Sequence, residues 1–97
     1  MESEKVVEKR VVIQNKLGLH ARPAALFVRT ANRFKSEITI LKGKHKVNGK
    51  SIMGLMMLAA APGSHLIIRI VGPDAERAME EIEKLIDQNF GEEASET

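Results

Sequence analysis

Residues 37–51, Glu37-Ile38-Thr39-Ile40-Leu41-Lys42-Gly43-Lys44-His45-Lys46-Val47-Asn48-Gly49-Lys50-Ser51, decide the architecture. Ile38 and Ile40 recur at every second position, which puts both on one face of a strand over residues 37–42. Gly43-Lys44 is a two-residue turn into a short strand over His45–Asn48. Two strands joined this tightly run antiparallel, because a parallel pair needs a long crossover. Asn48-Gly49 marks a second turn. Ser51 then stands where a helix N-cap or first-turn residue is expected.

Working outward, residues 52–60 read as a short Met-rich helix that Pro62-Gly63 breaks. Leu66–Val71 is a near-continuous β-branched run and reads as a buried strand. Gly72-Pro73-Asp74 opens a last helix, with Asp74 and Glu76 in a first turn that favours acidic groups. Ala75, Ala78, Met79, Ile82, Leu85, Ile86 and Phe90 form its apolar stripe, and Gly91 is expected to close it. On the N-terminal side, residues 6–13 read as a strand. Ala21 to about Arg33 reads as a helix whose stripe is Ala24, Phe27, Val28 and Ala31. The order is βαββαβα. The economical solution is a two-layer α+β fold, one antiparallel sheet with its helices packed on a single face. The polar ends, residues 1–5 and 92–97, are expected to fray.

With 97 residues the chain is expected to be a single domain, ordered over about residues 6–91. A hydrophobic content of 43% and a charged content of 29% are ordinary for a globular protein. There is no cysteine, which excludes a disulfide framework and thiolate chemistry and fits a reducing compartment. No apolar run approaches the roughly 18–20 residues that span a bilayer, and the start resembles no signal peptide. A cytoplasmic protein is the expectation. Charge is unevenly placed: residues 1–50 hold 12 Lys and Arg against 4 Asp and Glu, and residues 51–97 hold 3 against 9. The split suits either a basic docking face for an acidic partner or a basic surface beside an acidic last helix. Nucleic acid is disfavoured, since there is no Tyr or Trp to stack bases.

The chemistry concentrates in Asn15-Lys16-Leu17-Gly18-Leu19-His20-Ala21-Arg22-Pro23-Ala24-Ala25. His20 stands where a loop enters the first helix, Arg22 follows two residues on, and Pro23 is tolerated early in a helix. A helix start presents backbone N–H groups and positive potential, and so favours an anion. Imidazole, with a pKa of about 6.5, offers a neutral nucleophilic nitrogen at neutral pH. Arginine's planar fork can pair with two phosphate oxygens. Gly18 frees the approach loop, and Asn15 is a candidate positioning group. From these residues alone, His20 is either a nucleophile that carries a phosphoryl group or a surface cap.

This segment resembles the active-site signature of the HPr family, the histidine-containing phosphocarriers of the bacterial phosphoenolpyruvate-dependent phosphotransferase system. A second segment, Lys50-Ser51-Ile52-Met53-Gly54-Leu55-Met56-Met57-Leu58, resembles the family's regulatory-serine signature. The resemblance covers about residues 6–91. It implies an open-faced β-sandwich, with a four-stranded antiparallel sheet covered by three helices. It also implies a carrier rather than an enzyme, without cofactor: His20 takes a phosphoryl group on Nδ1 from enzyme I and passes it to an enzyme IIA, with Arg22 stabilising the phosphate. HPr kinase/phosphorylase would modify Ser51 and slow that transfer. The stretch Leu55–Ala60 is more similar to the nitrogen-related, regulatory branch than to the Gram-positive sugar-transport form, which carries serine where Met57 stands. A mainly signalling role is the alternative.

Ile52, Met53 and Met56 are expected to be exposed as an adaptable docking patch, with Met57 and Leu58 in the core. Arg29, two turns after Arg22, either extends a basic docking surface or is simply solvated. A carrier that visits successive partners is expected to be monomeric. Three rival readings are weaker. A metal site from His20, His45 and His65 lacks a ligand-like spacing. A hydrolase using His20 as base lacks a second acid–base group. A basic nucleic-acid or protein-binding module would rest on charge alone.

Overall fold

The computed structural model describes residues 4–58 and 60–93. The chain forms β1 (Lys5–Val12), α1 (Ala21–Ala31), β2 (Glu37–Lys42), β3 (His45–Asn48), α2 (Ile52–Met57), β4 (His65–Gly72), α3 (Ala75–Asp87) and a short 3-10 turn, Asn89–Gly91. The four strands make one antiparallel sheet in the order β1-β4-β2-β3. The α+β expectation, with four antiparallel strands and three helices, is met.

The hairpin that decided the architecture pairs Lys42 with His45 and Thr39 with Asn48. On β2 and β4 the buried residues are Ile38, Ile40, Leu66, Ile68 and Ile70. They join Phe27, Val28, Ala31, Leu55, Ala78, Met79 and Ile82 from the helices in one core. β4 is therefore buried on one face only, with Arg69 exposed on the other, where it pairs with Glu8 across the sheet. This one-sided burial follows because all three helices contribute to one core and leave the opposite face open.

β1 joins sheet to helix at the edge. Val7 and Val11 pack against the core. Lys5 and Lys9 share their period and reach Glu76 and Glu83, seven residues apart on α3. Arg33 lies 3.7 Å from Glu81 of the same helix. Part of the charge split is thus neutralised internally, basic strand against acidic helix. Lys5, expected to fray, begins β1.

Asp74 is the N-cap residue of α3, but its side chain does not cap that helix. Its carboxylate accepts from Lys35 N at 2.9 Å, Ser36 N at 3.0 Å and Ser36 Oγ at 2.6 Å. The clamp ties the loop before β2 to the start of α3. The Ser36 hydroxyl, followed by the Lys35 amide, holds the Asp74 carboxyl down at about 2. Gly72 makes this possible, because a Cβ there would lie 2.7 Å from Ser36 Cα and its φ is +151°.

Three helix ends differ from expectation. α1 stops at Ala31, two residues before Arg33. α2 stops at Met57, with Leu58 as its C-cap; of the residues expected to extend it, Ala59 lies outside those described. α3 ends at Asp87, so neither Phe90 nor Gly91 belongs to it. Asn89, Phe90 and Gly91 instead take φ of 53°, 55° and 75°, and the backbone turns back while Phe90 stays buried. Burying a phenylalanine ring stabilises by roughly 1.5–3 kcal/mol, which offsets part of the cost of two left-handed non-glycine residues, about 1–3 kcal/mol each.

Candidate phosphoryl-acceptor site

The approach loop is built before the histidine is placed. Gly18, with φ of +71°, sits against the backbone of residues 60–61, and a Cβ would lie 2.5 Å from Ala60 O. Leu19 N donates to that same oxygen at 2.8 Å. The loop is thereby fixed to the segment that follows α2. Asn15, fully buried, donates from Nδ2 to Gly18 O, closing the turn from within.

His20 is the N-cap residue of α1, with extended backbone (φ −88°, ψ −167°). Its carbonyl accepts the first helical bond, from Ala24 N at 3.0 Å. Its imidazole makes no capping bond. That removes the capping alternative, and the ring, 37% exposed, faces outward from the helix start. The N–H groups of Ala21 and Arg22 precede the first helical bond and have no acceptor within α1; Pro23 has no N–H.

The ring's partner is Glu92, a residue that sequence reading had assigned to a fraying tail. Glu92 Oε1 and Oε2 lie 3.1 and 3.0 Å from His20 Nε2. The same carboxylate accepts from Asn15 Nδ2 at 3.0 Å and from Arg22 Nη1 at 3.1 Å. Arg22 Nη1 also donates to Phe90 O at 3.2 Å, and Lys16 N donates to Glu93 O at 2.7 Å. Burial pushes the Glu92 carboxyl up, but hydrogen bonds from Asn15, His20 and Arg22 outweigh it and hold it below the usual carboxylate range. No local pattern announces this: Glu92 lies 72 residues from His20. The one available signal was a carboxylate directly after Phe90-Gly91, an apolar residue and a turn former.

The second motif is assembled as expected at its first residue. Ser51 is the N-cap of α2, and its Oγ accepts from Gly54 N at 3.0 Å. Ile52, Met53 and Met56 are exposed. Met57 is exposed as well, at 78%, which corrects its expected place in the core. α2 has only six residues, and its core side is filled by Leu55 and then Leu58. Met57, two positions from Leu55, falls on the opposite face. Leu17, in the loop before His20, is a further exposed apolar residue that the sequence reading missed. An open depression beside His20 is lined by Lys16, Leu17, Leu19, Ala60, Ala61 and Pro62, and a second borders Glu92 with Lys16, Leu17 and Glu93. Arg29 lies exposed in the last turn of α1, away from the helix start that holds Arg22. His45 and His65 begin β3 and β4, both exposed. Among the described residues no three His, Asp or Glu side chains form a group able to hold a metal, and no helix is long and apolar enough to cross a membrane.

A family model described as the PTS HPr component phosphorylation site matches residues 7–88. The phosphocarrier protein HPr of Neisseria meningitidis is 48% identical over 87 residues, covering 90% of this chain and 98% of that protein. A crystal structure of HPr from Thermoanaerobacter tengcongensis superposes with a TM-score of 0.86 at 48% identity, covering 90% of this chain and 98% of its own. An HPr dimer from the same organism matches with a TM-score of 0.72 at 49% identity, covering 84% and 94%. None of these matches favours the narrower nitrogen-related reading. An exposed histidine at the start of α1, a capping serine at the start of α2, the βαββαβα sheet and these relatives converge: the chain belongs to the HPr family of phosphotransferase-system phosphocarriers.

Proposed function

We propose that the phosphoryl group is carried on His20, accepted from enzyme I and delivered to an enzyme IIA, in the cytoplasm. The observation that supports this best is an N-cap histidine whose side chain leaves its own helix uncapped and stands exposed beside Arg22. A dianionic phosphoryl group on that ring would meet the positive end of α1 and a guanidinium fork. The open setting of His20 suits a group that two partner proteins must reach in turn. Leu17 beside it, and Ile52, Met53, Met56 and Met57 on α2, are exposed and supply adaptable apolar contact area for partners. Arg29, exposed at the far end of α1, is left outside this surface. The working form is a monomer, since pairing through this small face would cover the histidine.

Ser51 is the regulatory site in this reading. Phosphate there adds about −1.5 to −2 charges at a helix start, where its oxygens can still accept from Gly54 N. The cost falls on docking: an acidic partner surface would be repelled. HPr kinase/phosphorylase is the expected modifying enzyme.

The test is chemical. Incubation with enzyme I and labelled phosphoenolpyruvate should give label that is acid-labile and base-stable, as phosphohistidine is. Label that persists in His20→Ala, or that survives acid, overturns the assignment.

A further inference from the structure

The carboxylate facing the imidazole has a consequence for which ring nitrogen reacts. Glu92 is ionised at neutral pH and three-way hydrogen-bonded, so both its oxygens can only accept. Both lie within 3.1 Å of His20 Nε2. A neutral imidazole must then carry its proton on Nε2 to satisfy that contact, which leaves the lone pair on Nδ1.

We propose that Glu92 is the positioning residue of the phosphoryl acceptor: by accepting from Nε2–H it fixes the tautomer that makes Nδ1 the nucleophile. This rests on His20 being the carrier residue. In the transfer, the Nδ1 lone pair attacks phosphorus on a phosphorylated nitrogen of the donor protein. The Nδ1–P bond forms as the donor's N–P bond breaks, and that electron pair leaves with the donor nitrogen. The Nε2 proton stays in place, so the ring becomes positively charged. Glu92 stabilises that charge without taking the proton, the division of labour known for a carboxylate behind a catalytic histidine. Asn15 and Arg22 hold the carboxylate in register from either side.

Nitrogen-15 NMR of the neutral His20 ring reports the tautomer directly. Parallel assays measure initial rates of phosphorylation by enzyme I and phosphoenolpyruvate, with the modified residue located by mass spectrometry. The wild type should hold Nε2–H almost exclusively. Glu92→Ala should show mixed tautomers and a rate lower by roughly tenfold, the equivalent of one charge-assisted hydrogen bond. Glu92→Gln, which keeps an acceptor of the same reach, should recover part of both. A tautomer unchanged in Glu92→Ala, or changed without slower phosphorylation, overturns the proposal. So does a wild type that populates Nδ1–H. Absence of phosphate on His20 in the wild type would instead defeat the carrier reading, while the tautomer populations still judge the Glu92 contact.

Discussion

Two helix starts in this protein carry the same local role and opposite side-chain behaviour. Ser51 at the start of α2 turns its hydroxyl inward and caps Gly54 N. His20 at the start of α1 leaves its helix uncapped and turns its ring to a carboxylate from the far end of the chain. The serine stabilises its own helix; the histidine leaves the anion-binding end of its helix available. The start of α3 shows a third use of the position, with Asp74 clamping Lys35 and Ser36 rather than its own first turn. A polar residue at an N-cap therefore does not announce a cap. What decides is whether a more distant partner competes for the side chain.

The largest expected effect removes one side of that comparison. His20→Ala should abolish acid-labile phosphorylation while α1 and overall stability persist, because the ring caps nothing. A large fall in melting temperature would show that it is a structural cap after all. Arg22→Ala should come next. It should lower phosphoryl transfer roughly 10- to 100-fold, equivalent to charge-assisted hydrogen bonds of about 1.5–3 kcal/mol; steady-state kinetics with enzyme I would show it, and an unchanged rate would remove Arg22 from the site.

Ser51 should behave in the reverse manner. Ser51→Ala should cost about 1 kcal/mol of stability in urea denaturation, the usual value of a lost cap, and leave transfer near wild type. Ser51→Asp should keep the fold and slow transfer from enzyme I; transfer at the wild-type rate would defeat the electrostatic account.

Asp74 sharpens the contrast through pH. Its carboxyl is held from 3.8 down to about 2 in the folded protein. A lowered folded value contributes stability that is present above the unfolded value and lost as pH falls through the folded one. Stability should therefore decline between about pH 4 and pH 2. Asp74→Asn should cost about 1–2 kcal/mol at neutral pH and flatten that decline; parallel curves for the two proteins would mean the clamp does not form. The smallest effect is expected from Met53→Ser, under about 1 kcal/mol in partner binding, because a single peripheral docking contact rarely carries more. Titration with an enzyme IIA would measure it.

Most of the fold was legible because its signals are local. Ile38 and Ile40 gave a strand by period, Ala24, Phe27, Val28 and Ala31 a helix face, and Gly43-Lys44 a hairpin. His20, Arg22 and Ser51 were legible for the same reason, since helix starts select particular residue types. Met57 was misplaced because a six-residue helix has too few turns to show which face is buried. Phe90 was misplaced because its spacing fits a continuing helix, while its burial is achieved after the helix has ended.

The sequence by itself determined the order of elements, most of the core stripes and the two helix starts at which His20 and Ser51 stand. Each depends on hydrogen bonds and side-chain periods within a few positions of the chain. Only the tertiary structure decided what surrounds the histidine. The left-handed turn through Asn89 and Phe90, held by the buried ring, returns the chain to α1. It carries Glu92 across 72 positions into contact with Asn15, His20 and Arg22. A carboxylate in a polar tail has no local partner to reveal it. Its contacts come from the partly buried place to which packing carries it, where Asn15 and Arg22 hold it against the His20 ring.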